Sequence, residues 1–143
     1  MKERKRWVDI LIKVLRGLLL GAALVLLVFA AFFYFRVKSD GHLALRGAKN
    51  ARFALETVAI EFYGEGRNVF SPNSPDGMAR GVKERVQKLT GTEGEILLQD
   101  YDMKENRVVK MCYTEGRYVV KFTMDDAGNE QWKLSYLLDL DLL

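Results

Sequence analysis

The chain has 143 residues, of which 49% are hydrophobic and 29% charged, with a formal net charge of +3. Residues 1–16 supply this charge, because from Arg36 onward sixteen Lys or Arg stand against seventeen Asp or Glu. A near-neutral segment gives no electrostatic case for binding nucleic acid. The single cysteine excludes an intramolecular disulfide bond, so the fold depends on its apolar core.

The first feature along the chain is an uncharged run at residues 17–35, GLLLGAALVLLVFAAFFYF. As a helix it extends about 28 Å, close to the hydrocarbon thickness of a bilayer. A secretory signal has a shorter apolar region and a small-residue cleavage site, and the nearest such triplet here is Val28-Phe29-Ala30. We predict an uncleaved transmembrane helix over 17–35. A cleaved signal and a buried helix of a soluble protein are the alternatives.

The charges on either side of this run predict its orientation. Residues 1–16 form a basic lead that contains six Lys or Arg, whereas only Arg36 and Lys38 follow the run closely. This bias favours a cytoplasmic N-terminus, and the aromatic residues 32–35 suit the outer interface of a bilayer. The sequence therefore predicts a single-pass protein of the cell membrane. Its partner would be the lipid bilayer through residues 17–35, with the C-terminal domain outside.

A break in the helix is predicted at Ser39-Asp40-Gly41, with residues 36–41 as a linker and Ser39 or Asp40 as the cap of the next helix. An extracytoplasmic α+β domain would then occupy residues 42–143. Its first segment, 42–63, repeats apolar residues at spacings of three and four, which is typical of a long amphipathic helix. That face consists of Ala44, Ala48, Ala51, Leu55, Val58 and Phe62.

Two parts of this helix form a candidate interaction face. The small residues Ala44, Ala48 and Ala51 would let another backbone approach closely. Phe53 and Ile60 lie seven residues apart and point away from the alanines, so two large apolar side chains need cover. Either a loop or second helix of the same chain covers them, or a helix of a partner does.

The rest of the chain predicts a loop, a short helix and four strands. Residues 64–77 are rich in turn-forming residues, and residues 78–89 read as a short helix with Met78, Val82, Val86 and Leu89 on one face. Period-two alternation, with Val109, Met111 and Tyr113 on one side, predicts strands at 95–101, 107–113, 117–124 and 130–138. Short connections make them a four-stranded antiparallel meander, and the long helix is expected to pack on its apolar face.

No residue set points to catalysis, to a cofactor or to a metal. His42 has no second histidine to complete a site, and the acidic pairs 100/102 and 125/126 fall in predicted turns. Cys112 is either a packing residue or a route to an intermolecular bridge. The last residues, LLDLDLL at 137–143, alternate apolar and acidic residues. They either extend the last strand or form an edge that pairs with a partner.

Together these elements resemble the type IV pilins and pseudopilins. The stretch AKNARFALETVAIEFYGEG at 48–66 resembles the extramembrane half of their first helix, and GNEQWKLSY at 128–136 resembles their closing strand. The resemblance implies a structural or assembly role in a secretion or pilus-like system, with a homo-oligomer or another protein as partner. The family's peptidase site needs a Gly before and a Glu after the position of Trp7-Val8-Asp9-Ile10-Leu11, and this chain has neither. Processing and polymerisation therefore stay open.

A second hypothesis belongs to a different functional class. A helix on an antiparallel sheet also describes cystatin-like and nuclear-transport-factor-like domains, which hold ligands or peptides between the two layers. A membrane-tethered binding or accessory domain of this kind would need an open, apolar pocket between helix and sheet. A filled core would count against it.

Overall fold

The computed structural model describes residues 2–137, with side chains from residue 6 onward, and has an α+β fold. One long helix, α1 (Lys2–Gly64), is followed by a short helix, α2 (Val82–Thr90). Four strands complete the chain: β1 (Glu95–Asp102), β2 (Arg107–Glu115), β3 (Tyr118–Met124) and β4 (Glu130–Tyr136). The predicted fold class, a long helix with a four-stranded antiparallel sheet, is confirmed at this level.

Helix α1 runs without interruption for 63 residues, so the predicted break at Ser39-Asp40-Gly41 is wrong. Neither Ser39 nor Asp40 caps a helix, and residues 36–41 are helical. A single glycine inside a helix costs only about 1 kcal/mol relative to alanine, and no proline lies in this stretch, so the helix can continue through Gly41. The chain still divides into two compact units, Met1–Asp40 and Gly41–Leu143, at this position.

Within the first unit, residues 17–35 are apolar on all sides of the helix. Its large apolar side chains from Trp7 to Phe35 are exposed, and none of its most apolar stretch is buried within the molecule. By length and composition this helix is compatible with a membrane span. A water-soluble helix would instead keep a polar face.

The second unit holds the sheet, whose strands lie in the order β1-β2-β3-β4 with every neighbouring pair antiparallel. One face of the sheet is buried, as the period-two alternation predicts. Val109 is an exception, because Val108 lies in the core instead. The β1–β2 register shifts on either side of Asp100, so that Tyr101 pairs with Val108 while Asp100 pairs with Lys110. Such an irregularity reverses the inward phase of the strand beyond it.

The core lies between the sheet and the second half of α1. Leu55 and Val58 of the helix share it with Met111, Tyr113 and Phe122 of the sheet, and all of these side chains are buried. Each buried apolar side chain of this size contributes roughly 1.5–3 kcal/mol. This continuous apolar layer holds the helix on the sheet.

The segment between α1 and the sheet completes the core. Val69 is buried and Phe70 packs against the core. Helix α2 begins at Val82 rather than at Met78, because Gly81 in a left-handed conformation precedes it, and Met78 bridges to Phe70 instead. Gly91 ends the helix, also in a left-handed conformation, as expected for a C-terminal glycine.

Candidate functional site

The alanines of the candidate interaction face are not on the surface. Ala44, Ala48 and Ala51 are all buried in the core formed with the sheet. Their small side chains do allow close approach, but the backbone that approaches belongs to the same chain. These three residues are therefore unavailable to a partner, which corrects this part of the predicted face.

The other two residues of that face are exposed. Phe53 is 73% exposed and Ile60 is 66% exposed, on the side of α1 that faces away from the sheet. Leu89, in the last turn of α2, lines a surface cleft together with Phe53 and is 52% exposed. We call Phe53, Ile60 and Leu89 the outer patch. Nothing in residues 6–137 covers these three side chains.

Leu89 was missed as a surface residue because its spacing from Val82 and Val86 places it on the inner face of an ideal helix. Val82 and Val86 are buried as predicted. Leu89 instead lines a cleft of about 310 Å³ beside Phe53 and Ala54 of α1. Helical periodicity predicts a direction, but it does not say where the core ends.

Two threonines make this cleft more apolar than its composition suggests. The Thr57 hydroxyl donates to the backbone oxygen of Phe53 at 2.9 Å, and the Thr90 hydroxyl donates to that of Val86 at 2.9 Å. Both hydroxyls are satisfied by their own helix. The two threonines therefore need no acceptor from a partner, and Asn50 is the other polar residue that lines the cleft.

Two charged residues of α1 have partners elsewhere in the chain. Lys49 lies over the Trp132 ring, with its ammonium nitrogen 5.7 Å from the ring centroid. Glu61 forms an ion pair with Arg85 of α2, 3.1 Å between Oε2 and Nε. Such exposed pairs contribute little to stability on their own.

A charge cluster ties α1 to the sheet. Arg52 contacts Glu56 at 3.2 Å on the same helix and Glu130 of β4 at 2.5 Å. Glu56 in turn accepts a hydrogen bond from the backbone nitrogen of Val108 at 3.2 Å. The hydrogen bond from Arg52 holds the pKa of Glu130 below its usual value. Each member of this cluster has a partner on the helix or on the sheet. The cluster therefore orients α1 and leaves no free group for acid–base chemistry.

Tyr113 is the most enclosed polar side chain of the core. Its hydroxyl is hydrogen-bonded to Thr92 and donates to Glu115 at 2.9 Å. Burial raises its pKa to about 12. A raised pKa favours the neutral phenol, so Tyr113 is a structural residue and a poor nucleophile or base.

The remaining residues singled out in the sequence lie apart. Cys112 is half-buried on the sheet face opposite the core, and His42 is exposed. The side chain of Asp125 accepts hydrogen bonds from Asn129 within its turn. Over the described part of the chain, no group of three or more His, Cys, Asp or Glu could hold a metal ion. The residues 138–143, predicted to extend the last strand or to pair at an edge, lie outside the described range.

The structure therefore brings together one candidate site, the outer patch and its cleft, on the second unit. Its two α1 residues were predicted from sequence, and its α2 residue was not. Comparisons with models of known protein families, with curated protein sequences and with solved structures find no match for this chain.

Proposed function

We propose that this protein is a non-enzymatic, single-pass membrane protein whose second unit lies outside the cytoplasm and serves in assembly, in the manner of the type IV pilins and pseudopilins. The observation that carries the proposal is the long helix α1. Residues 17–35 of this helix are apolar on all sides. Its second half packs on the sheet, while Phe53 and Ile60 are exposed on the side away from the sheet. A helix used twice in this way connects a bilayer anchor to a protein-contacting surface.

The anchor is supported by the exposed apolar side chains between Gly17 and Phe35. In water they would cost about 25 cal/mol for each Å² of apolar surface, whereas lipid removes that cost. Leu26→Arg, near the middle of the run, should weaken membrane insertion, since a central arginine costs about 2.5–3.5 kcal/mol. Leu43→Arg, an exposed position outside the run, is the matched control. Alkaline carbonate extraction should release the first variant and leave the second in the membrane.

The orientation is tested with a single accessible thiol. Cys112→Ser removes the native thiol, and Ala127→Cys places a new one in the turn between β3 and β4. An impermeant maleimide should label this thiol on intact cells. Labelling that appears only after lysis would reverse the proposed topology. The mass of the extracted protein reports whether Met1 is retained, as expected for an anchor without the pilin peptidase site.

The assembly role is supported by the outer patch, where Phe53 and Leu89 line a cleft, Ile60 is exposed as well, and the two threonine hydroxyls of the cleft donate within their own helices. In the Cys112→Ser background, Phe53→Cys or Ile60→Cys should give crosslinked dimers in reconstituted membranes. Lys133→Cys, on the opposite face of the sheet, should give few. Monomers at all three positions, in purified vesicles and in native membranes, would contradict assembly through this patch.

The tethered binding domain receives less support. Leu55 and Val58 of α1 and Phe122 and Met111 of the sheet occupy the space between the two layers, and all four are fully enclosed. Cystatin-like and nuclear-transport-factor-like binding would need that space to be open. We therefore place assembly first.

A further inference from the structure

Gly41, the first residue of the second unit, lies beside a group of apolar and aromatic residues. Gly41 is buried there, and a β-carbon at its position would lie 3.1 Å from Cδ2 of Leu134 and 3.4 Å from Cε1 of Tyr118. Tyr118, Leu134, Tyr136 and Leu137 lie at this end of the sheet, and we call them the Tyr118 cluster. The cluster is thus in contact with the first residue of the unit.

Three side chains of the cluster are exposed, whereas Tyr118 is half-buried and packs against the core. Leu134, Tyr136 and Leu137 are 42%, 38% and 52% exposed. The rings of Tyr118 and Tyr136 meet edge to face with centroids 5.1 Å apart, and the Tyr136 hydroxyl accepts a hydrogen bond from Arg117 at 3.5 Å. The backbone nitrogen of Leu137 donates to the oxygen of Arg117 at 2.7 Å. These contacts hold an amphipathic surface in place without covering it.

Chain length limits how far this surface can lie from a bilayer. The argument rests on the proposed anchor at residues 17–35. Only Arg36 to Asp40 then separate the hydrocarbon from Gly41, which is about 9 Å of helix and at most about 22 Å of extended chain. Each headgroup layer is roughly 5–8 Å thick. At the helical spacing of about 9 Å, residues in contact with Gly41 would lie at or close to the headgroups.

The chemistry of the cluster selects lipid as its occupant. Tyrosine and arginine are enriched where proteins cross the membrane interface, since their rings or stems are apolar and their tips polar. The side chains of the cluster itself carry no charge, so the proposed contact is apolar and aromatic.

We propose that the Tyr118 cluster rests in the headgroup layer of the same membrane that holds the anchor, and so gives the second unit a second contact with lipid. The outer patch stays clear of this contact, because Phe53 and Ile60 lie twelve or more residues further along α1 than Gly41. A unit held at two points would present the patch to neighbouring molecules in one orientation.

The test uses the full chain in nanodiscs of phosphatidylcholine that carry a spin label on the headgroup. In the Cys112→Ser background, a fluorophore is attached at Leu137→Cys or, as the control, at Ala127→Cys at the other end of β3. Quenching should be several-fold stronger at position 137. Adding Leu134→Ser and Tyr136→Ser should lower it towards the value at position 127.

Weak and equal quenching at both positions, with the protein retained in the discs, would overturn the lipid contact and leave the anchor standing. Strong quenching at 137 only after removal of residues 138–143 would assign the surface to the chain's own C-terminus. Weak quenching by lipid at 137 with one chain per disc, together with shielding from a water-soluble quencher only with two chains per disc, would assign it to a second copy. Each of these results contradicts the proposal, whereas failure of the protein to stay in the discs contradicts the anchor itself.

Discussion

The Tyr113 ring lies against the backbone of Gly47 so closely that a β-carbon at position 47 would be 2.6 Å from the phenol oxygen. Gly94 approaches the same ring from another element, and a β-carbon there would collide with it. The tyrosine is therefore enclosed by two glycines, one on α1 and one just before β1. This relationship joins the helix to the sheet and makes the size of three residues interdependent.

Replacing either glycine should destabilise the fold. Gly94→Ala should lower the free energy of unfolding by about 1–3 kcal/mol through overpacking. Gly47→Ala should cost less, because alanine in a helix recovers about 1 kcal/mol. Guanidinium unfolding of the full chain in detergent micelles, followed by Trp132 fluorescence in a Trp7→Phe background, measures both. Gly64→Ala, with open space around it, is the control and should be no less stable than the parent.

Gly77 combines a left-handed backbone with a close approach. Its φ is +71°, and a β-carbon would collide with the backbone oxygen of Leu98. Gly77→Ala should therefore cost about 3 kcal/mol or more, since strain of about 1–3 kcal/mol adds to the clash. Gly66 has the same φ of +71° with nothing near it, so Gly66→Ala isolates the strain alone. Equal losses for the two variants would mean that the contact with Leu98 is unimportant.

The contact of Arg52 with Glu130 should contribute to stability in a pH-dependent way. Arg52→Gln should cost about 1–2 kcal/mol at neutral pH, because it also leaves the half-buried Glu56 without its cation. The pKa of Glu130 is lowered in the folded state, so its contribution is present above the ordinary glutamate value and is lost as pH falls through the folded pKa. The variant should show a shallower acid limb in unfolding experiments from pH 6 to 3. Arg46→Gln, an exposed arginine on the same helix, should leave that limb unchanged.

Tyr113 should make the stability of the fold depend on pH at the alkaline end. Burial raises its pKa from the ordinary value of 10 to about 12, so above pH 10 the unfolded chain releases this proton before the folded chain does. Stability should therefore be complete below pH 10 and fall by about 2 kcal/mol between pH 10 and 12. Tyr113→Phe should flatten the fall. Tyr101, whose pKa burial also raises, keeps its share of the slope in that variant, and Tyr101→Phe removes it.

Much of the fold could be predicted because it depends on local periodicity. The alternation in 107–124 predicted the strands, and short turns predicted antiparallel neighbours. The uncharged run at 17–35 predicted a transmembrane helix, and the structure has there an apolar helix compatible with a membrane span. The two errors have different causes, one in the local backbone and one in the pairing of strands. Ser39-Asp40-Gly41 resembles a helix start, yet the helix continues through it. Val109 follows the alternation, yet the irregular β1–β2 register brings Val108 inward.

The candidate site could be predicted only in part, because local spacing places some of its residues and the tertiary structure places the others. Phe53 and Ile60 are distinguished by their angle on the helix, which depends only on spacing. Ala44, Ala48 and Ala51 have the composition of a helix–helix interface, but whether such a stripe meets another molecule or the chain's own sheet depends on where the sheet lies. Leu89 belongs to the outer patch only because of where the core ends.

The sequence by itself determined the charge-free run, the alternation of the strands and the face of α1, because each follows from the geometry of a single helix or strand. Only the tertiary structure decided that the alanines are buried, that Tyr113 lies between two glycines, and that Tyr118 and Leu134 lie against Gly41. Those relationships join residues up to 93 positions apart, Gly41 and Leu134, and no local pattern encodes contacts over such separations.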